Sequence, residues 1–160
     1  MKKQDVLEIL RAVESGAMSS DEAFTRLKLA PFEDIGFAKV DHHREMRQGV
    51  AEVIYGQGKT PEQIERISST LLSGGDRVVR ITRMSPEAAA YVGEHHALVY
   101  DPLSKVGRIG DMPEPDGVGT VLVATGGTTD IPVAEEAALT AEALGNRVKR
   151  LYDVGVSGIH

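Results

Sequence analysis

The chain has 160 residues, 41% of them hydrophobic and 26% charged, with a net charge of -6 and no cysteine, a size that suits one domain or one small domain plus part of another. The acidic balance provides no electrostatic basis for binding nucleic acid or an anionic membrane, and the lack of cysteine excludes disulfides, thiolate metal sites and a cysteine nucleophile from these residues. No apolar run reaches the roughly 20 residues that span a bilayer and the N-terminus lacks the apolar stretch of a signal peptide, so we expect a cytoplasmic protein.

Residues 1–30 are predicted to form a helical hairpin. Four apolar residues fall on one face of a first helix at helical spacing, namely Val6, Ile9, Leu10 and Val13. Ser19 and Glu22 form a capping-box pattern that opens a second helix, and Pro31 stops it. We expect this second helix to turn three residues inward, namely Ala23, Phe24 and Leu27.

Residues 31–110 are predicted to form a small α/β domain, because strand-like and helix-like segments alternate along them. Apolar or period-two runs predict strands over residues 35–40, 50–55, 77–82, 97–100 and 106–109, the last two as a hairpin around an Asp-Pro turn. Two N-cap residues followed by proline, in Thr60-Pro61 and Ser85-Pro86, predict the starts of two helices.

Residues 111–118 are predicted to be a linker, since they are rich in proline, glycine and acidic residues without periodicity. Residues 119–160 are then predicted to form a strand, a glycine turn, a helix and a second strand over residues 147–151, which is one βαβ unit. The predicted fold class is therefore α/β throughout, with the start of a parallel-sheet domain last. Two parallel strands and one helix cannot cover both faces of such a sheet, so we expect either a partner subunit or further βα repeats beyond an incomplete fragment.

The turn after the first strand of this unit is the strongest candidate for a ligand site. Its paired glycines are expected to let the backbone bend so that N–H groups and the helix start converge on a phosphate, with hydroxyls and one carboxylate beside them. The residues are Gly126, Gly127, Thr128, Thr129 and Asp130. The alternative is a plain strand-to-helix turn that only satisfies the helix end, and neither the Walker nor the Rossmann glycine pattern is present.

The loop after the second strand is expected at the same sheet edge, because parallel strands end there together. His160 could act as a general acid or base, and Ser157, together with Asp153 and Gly155, could contact the ligand. The alternative is an ordinary loop that ends in a chance histidine.

The N-terminal part offers weaker candidates. Lys59 could reach an anionic ligand group, and Arg44 and Arg47 could clamp a carboxylate or phosphate. Each also suits a solvated turn or a local ion pair, and we favour that interpretation for Lys59. The His42-His43 and His95-His96 doublets offer at most one ligand each, because adjacent side chains point in different directions, so no metal site is predicted.

Several long motifs together resemble the LarB family. The motifs are Thr-Gly-Gly-Thr-Thr-Asp-Ile-Pro-Val-Ala-Glu-Glu-Ala-Ala from residue 125, Tyr-Asp-Val-Gly-Val-Ser-Gly-Ile-His from residue 152, and the leading segments over residues 41–54 and 58–64. The catalytic domain of that family is similar to the aminoimidazole ribonucleotide carboxylase (PurE) fold, a flavodoxin-like parallel sheet. The resemblance covers essentially the whole chain.

The resemblance implies a carboxylase and hydrolase that makes the precursor of the nickel-pincer nucleotide cofactor of lactate racemase. The enzyme adds CO2 to the pyridinium ring of nicotinic acid adenine dinucleotide and cleaves its phosphoanhydride, which releases AMP. Residues 126–130 would bind ligand phosphate and neighbouring groups, with Asp130 and His160 as catalytic candidates. Gly127 departs from the pattern, because the purine enzymes carry a serine there.

The family also implies a cysteine that adds to the ring, an Mg2+ ion that bridges ligand phosphates, and a homo-oligomer. The chain has no cysteine, so we expect no turnover from it alone. The alternatives are a non-catalytic nucleotide-binding or regulatory module, an enzyme like aminoimidazole ribonucleotide carboxylase, and an interaction domain that uses an exposed sheet edge.

Overall fold

The computed structural model describes residues 3–29, 32–42, 44 and 52–155. The chain divides into two compact units, residues 1–52 and residues 53–160. None of the helices within the described ranges combines the length and the apolar character that a membrane span needs. The domain boundaries expected near residues 30 and 110–119 stay predictions.

The first unit begins with the predicted helical hairpin, formed by α1 (Lys3–Glu14) and α2 (Ser20–Leu29). Ser19 caps α2, since its Oγ accepts a hydrogen bond from the Glu22 amide at 3.1 Å. The predicted apolar faces are partly wrong, because Leu10 is 53% exposed and Phe24 is 49% exposed. Periodicity marks an apolar stripe, but in a short hairpin the opposing helix covers only part of that stripe.

Two short antiparallel strands follow in the same unit, β1 (Phe32–Asp34) and β2 (Lys39–Asp41). The strand predicted over residues 35–40 is therefore wrong for its first four residues, which form the turn between them. Gly36 takes a positive φ of 91° in this turn, and its amide donates to Asp34 Oδ1 at 2.8 Å. Short-range side-chain bonding of this kind outweighs the weak alternation of the segment.

The second unit contains a mixed four-stranded sheet. Its strands are β3 (Val53–Tyr55), β4 (Val79–Thr82), β5 (Leu98–Asp101) and β6 (Val106–Ile109), in the order β3-β4-β6-β5. β3 and β4 are parallel, whereas β4 with β6 and β5 with β6 are antiparallel. The predicted hairpin of β5 and β6 is confirmed.

Two helices, α3 (Pro61–Ser73) and α4 (Pro86–His95), cover one face of this sheet. The predicted N-cap of α3 at Thr60 is confirmed and is part of a capping box, because the Gln63 amide donates to Thr60 Oγ1 at 3.3 Å and the Thr60 amide donates to Gln63 Oε1 at 3.0 Å. The core between helices and sheet consists of fully buried apolar side chains, among them Ile64, Leu71, Val79, Ile81, Met84 and Val92.

The predicted βαβ unit is confirmed as β7 (Thr120–Ala124), α5 (Ile131–Ala143) and β8 (Arg147–Leu151), with β7 and β8 parallel. Arg80 and Thr82 line a cavity of about 150 Å3 with residues of α5. They alternate along β4 with the core residues Val79 and Ile81, so α5 lies over the opposite face of the four-stranded sheet. In β7, Leu122 is 59% exposed, in keeping with a small parallel sheet that one helix cannot cover.

Candidate functional site

The loops that follow β7 and β8 are joined by hydrogen bonds that continue the parallel pairing beyond the strands. The Val154 amide donates to Thr125 O at 3.0 Å, and the Gly155 amide donates to Gly126 O at 2.9 Å. The Asp153 amide donates to Thr125 Oγ1 at 3.0 Å. Thr125 is buried and holds both loops at the carboxyl edge of the parallel pair, where α/β sheets bind ligands. The sequence analysis missed this residue, although its place between strand and glycine turn could have drawn attention to it.

Glycine is required by the loop geometry at Gly155 and not at Gly127. A Cβ on Gly155 would lie 2.4 Å from Gly126 Cα, so two backbones would have to separate. A Cβ on Gly127 would meet nothing closer than 3.9 Å, and its φ of -137° is extended backbone. A small side chain would therefore fit at Gly127, and the expected convergence of N–H groups on a phosphate stays a prediction.

A short 3-10 turn, Thr128–Asp130, connects the first loop to α5. The Gly127 amide donates to Asp130 Oδ2 at 3.2 Å, so the Asp130 carboxylate caps this turn. Such a cap agrees with the alternative interpretation, a plain strand-to-helix turn. In the described part of the chain, the amides of Gly126, Thr128 and Thr129 have no hydrogen-bond acceptor. Three main-chain donors thus remain available beside one carboxylate, and both threonine side chains are exposed.

The second loop is described as far as Gly155. Asp153 takes a positive φ of 58°, which is uncommon for a residue other than glycine, and its residue surface is exposed. Ser157 and His160 lie outside the described residues, so their roles as ligand contact and as catalytic acid or base stay predictions.

Within the described residues, the structure does not place the candidates Lys59, Arg44 and Arg47 together in a ligand site. Lys59 Nζ donates to Tyr55 O at 2.7 Å, which ties the lysine to the end of β3 and agrees with the structural interpretation. Arg44 is exposed, and Arg47 lies outside the described residues. A ligand contact of these three residues stays a prediction.

Two glutamates in the first turns of α5 have tertiary partners that the sequence analysis missed. Glu136 Oε2 binds Arg83 Nε at 2.7 Å, and Glu135 Oε1 binds Arg150 Nε at 2.8 Å and accepts from the Tyr152 hydroxyl at 2.8 Å. Burial raises the pKa of Tyr152, and its bond to Glu135 raises that pKa further.

Arg150 binds two carboxylates of α5. It also binds Glu142 through both terminal nitrogens, and the bonds to Glu142 and then Glu135 raise the pKa of its guanidinium. These ion pairs connect β8 to α5. The helix that starts at the candidate ligand loop is thereby fixed against the parallel strands, which keeps the loop in position.

A cavity of about 350 Å3 lies in the four-stranded sheet's part of the second unit, at the carboxyl ends of the parallel strands β3 and β4. The first turns of α5 form its opposite wall. The sequence analysis did not single out its polar residues. They are Gln57, Arg83, Ser104, Lys105 and Glu136.

The described residues contain no group of three histidine, cysteine, aspartate or glutamate side chains that could hold a metal ion. His96 Nε2 instead lies 3.1 Å from Ser69 Oγ and 3.3 Å from Glu65 Oε1, and His42 Nε2 lies 3.1 Å from Glu33 Oε2. These contacts give His42 and His96 partners within the fold. The described residues alone do not fit an Mg2+ site.

A mixed sheet followed by a parallel βαβ unit with joined loops at its carboxyl edge defines an α/β protein. Residues 32–111, half of the chain, match the LarB/PurE-like N-terminal domain, and the chain belongs to this family. It is also 32% identical to an uncharacterized protein of Methanocaldococcus jannaschii, over 98% of this chain. The chain spans 64% of the length of that relative.

Proposed function

We propose that the protein to which this chain belongs is a LarB-type carboxylase and hydrolase in nickel-pincer nucleotide biosynthesis. Membership of the LarB/PurE-like N-terminal domain family supports this assignment. The observation that carries it is the pair of joined loops at the edge of a parallel sheet, where the amides of Gly126, Thr128 and Thr129 have no acceptor among the described residues. Main-chain N–H groups at a helix start are suited to a phosphate.

The proposed substrates are nicotinic acid adenine dinucleotide and CO2. The dinucleotide phosphate would accept from these amides and from the hydroxyls of Thr128 and Thr129. Asp130 already accepts from the Gly127 amide, so in the proposed complex it either yields that amide to the phosphate or orients a water or ribose hydroxyl beside it.

The pyridinium ring is electron-poor and does not attack CO2 by itself. A cysteine thiolate that adds to the ring converts it into an electron-rich, enamine-like nucleophile, which is covalent catalysis. After the new carbon–carbon bond has formed, a ring proton must leave and the carbon–sulfur bond must break to restore the pyridinium. We propose Asp130 or His160 for proton transfer. Because this chain has no cysteine, it should bind the dinucleotide without turning it over.

Calorimetric titration of the 160-residue chain tests the binding part of this proposal. We expect nicotinic acid adenine dinucleotide to bind at least tenfold more tightly than AMP or GTP. Equal affinity for all three would support the regulatory nucleotide-binding module instead, and absence of binding to any of them would contradict both.

A matched pair of alanine variants tests whether the ligand binds next to the backbone of Gly127. Gly127→Ala adds a methyl group whose nearest neighbours, Asp130 Oδ2 at 3.9 Å and Thr129 Oγ1 at 4.0 Å, lie at ordinary contact distance, so folding should be unchanged while dinucleotide affinity falls about tenfold. Gly93→Ala adds the same group to an open position on α4 and should leave affinity unchanged. Equal affinities of the two variants would show that no ligand approaches the backbone at Gly127.

A further inference from the structure

The cavity at the ends of β3 and β4 is lined by an unusual set of hydrogen-bond donors. Arg83 follows β4, Gln57 follows β3, and Lys105 precedes β6. Two parallel strands therefore end at this cavity, as they do at the glycine loop of β7 and β8. The wall opposite the sheet is formed by Pro132, Val133 and Glu136 of α5, directly after the candidate phosphate turn.

The hydrogen bonds and ion pair that these side chains already make leave mainly hydrogen-bond donors, and few acceptors, facing the cavity. Glu136 engages Arg83 through Nε, which orients the guanidinium and leaves its terminal nitrogens without a partner in the described part of the chain. Gln57 Oε1 already accepts from the Tyr55 hydroxyl at 2.6 Å, so its amide NH2 remains as a donor. Lys105 Nζ likewise has no acceptor among the described residues. Arg83, Lys105 and Glu136 together keep one net positive charge.

The backbone supports the same conclusion. Arg83 and Lys105 have positive φ values of 54° and 58°, and Asp153 is the third non-glycine residue with a positive φ within the described ranges. This conformation favours glycine or asparagine, and other residues in it cost on the order of 1 kcal/mol. The Met84 amide donates to Lys105 O at 2.8 Å, so the two strained segments are joined. Strained residues that persist in a fold cluster at ligand sites.

We propose that this cavity, the Arg83–Lys105 cavity, binds a phosphate group. The donors are the Arg83 guanidinium, the Lys105 ammonium and the Gln57 amide, a set that matches phosphate oxygens. The identification of that phosphate as part of a dinucleotide rests on the proposed function. Inorganic pyrophosphate is the alternative source of the same chemistry.

Asparagine variants test the cavity without disturbing the backbone. Lys105→Asn and Arg83→Asn remove the cations, while asparagine tolerates the positive φ better than the native residues. Lys149→Asn removes one charge from an exposed position on β8 outside the cavity and is the control. Thermal unfolding should show that Lys105→Asn is at least as stable as the wild type.

Titration with nicotinic acid adenine dinucleotide and with inorganic pyrophosphate separates the two proposals. We expect Lys105→Asn and Arg83→Asn to weaken dinucleotide binding about tenfold each, and Lys149→Asn to weaken it less than twofold. Wild-type binding of the dinucleotide with unchanged affinity in both cavity variants would overturn the cavity proposal and leave the proposed function standing. Pyrophosphate binding that depends on both cations, without dinucleotide binding, would support the cavity proposal and overturn the proposed function. If neither probe binds, both proposals are overturned.

Discussion

Single residues at the joined loops determine how closely two backbones approach. Gly126 and Gly155 lie so close that a Cβ on Gly155 would overlap the carbonyl oxygen of Gly126 at 2.5 Å, whereas Gly127 has room for a methyl group. The sequence shows Gly126, Gly127 and Gly155 in the two loops but not which of them is packed. That information belongs to the contact between loops that are nearly thirty residues apart in the chain.

Gly155→Ala should lower the free energy of unfolding by about 2 kcal/mol, because either the loops separate or the backbone is strained. Gly127→Ala should change it by less than about 0.5 kcal/mol, as expected for open positions. Urea unfolding followed by circular dichroism measures both values. Equal losses in the two variants would mean that the loops are not joined as described.

The hydrogen bonds between Ser104 and Asp101 predict a pH dependence of the protein's stability. The hydroxyl of buried Ser104 donates to Asp101 Oδ2, as does its amide at 2.9 Å, and these bonds lower the pKa of Asp101 below 3.8 with the hydroxyl as the main cause. A carboxyl with a lowered pKa contributes stability above its ordinary pKa and loses it as the pH falls through the folded-state value.

Ser104→Ala should therefore raise the pKa of Asp101 and cost about 1 kcal/mol at pH 7. The difference from wild type should shrink as the pH falls from about 4, the ordinary aspartate pKa, through the lower folded-state pKa of Asp101. Ser73→Ala removes an exposed hydroxyl that bonds within α3 and should show no such pH dependence. Titration of the Asp101 carboxyl by NMR, with unfolding at pH 7 and pH 3, checks the expectation, and a constant difference between the two pH values would refute it.

Local elements were predictable where neighbouring residues supply both partners of an interaction. The capping box of α3 is encoded within four residues, and the hairpin of β5 and β6 needs only alternation around a turn. The apolar faces of α1 and α2 were predicted less well, because exposure of Leu10 and Phe24 depends on what covers the stripe. Spacing alone does not contain that information.

The capping box of α3 leads to a prediction about the stability of a single helix. Thr60→Ala should destabilise the protein by about 1 kcal/mol, since one N-terminal amide of α3 loses its acceptor. Thr70→Ala makes the same substitution in the same helix, where the hydroxyl bonds only to Arg66 O, and should be neutral or slightly stabilising because alanine favours helix. Chemical denaturation of both variants is the measurement. A smaller loss for Thr60 than for Thr70 would show that the cap does not hold α3.

At the scale of the whole molecule, α5 connects the parallel pair to the four-stranded sheet of the second unit. Arg80 Nη1 donates to Ala143 O at 2.8 Å at one end of the helix, and Arg83 pairs with Glu136 near the other. These partners are more than fifty residues apart in sequence. The sequence analysis therefore predicted the elements and the candidate glycine loop but not the Arg83–Lys105 cavity, whose walls come from non-local contacts.

Arg150→Gln should lower the free energy of unfolding by about 1–2 kcal/mol, because Glu135 and Glu142 lose a shared, partly buried partner. Added salt should reduce the difference from wild type. Arg147→Gln on the same strand removes an exposed arginine that has no ion pair among the described residues and should cost less than about 0.5 kcal/mol. Unfolding at low and high ionic strength distinguishes the two, and equal losses would contradict the assigned ion pairs.

The central claim is that free main-chain amides at the edge of the parallel pair bind a dinucleotide phosphate. The most direct measurement is the 1H–15N correlation spectrum of the 160-residue chain during titration with nicotinic acid adenine dinucleotide, with adenosine as the phosphate-free control. The claim predicts that the amide signals of Gly126, Thr128 and Thr129 shift with the dinucleotide and stay in place with adenosine. Signals that stay in place with both ligands, or shift equally with both, would contradict it.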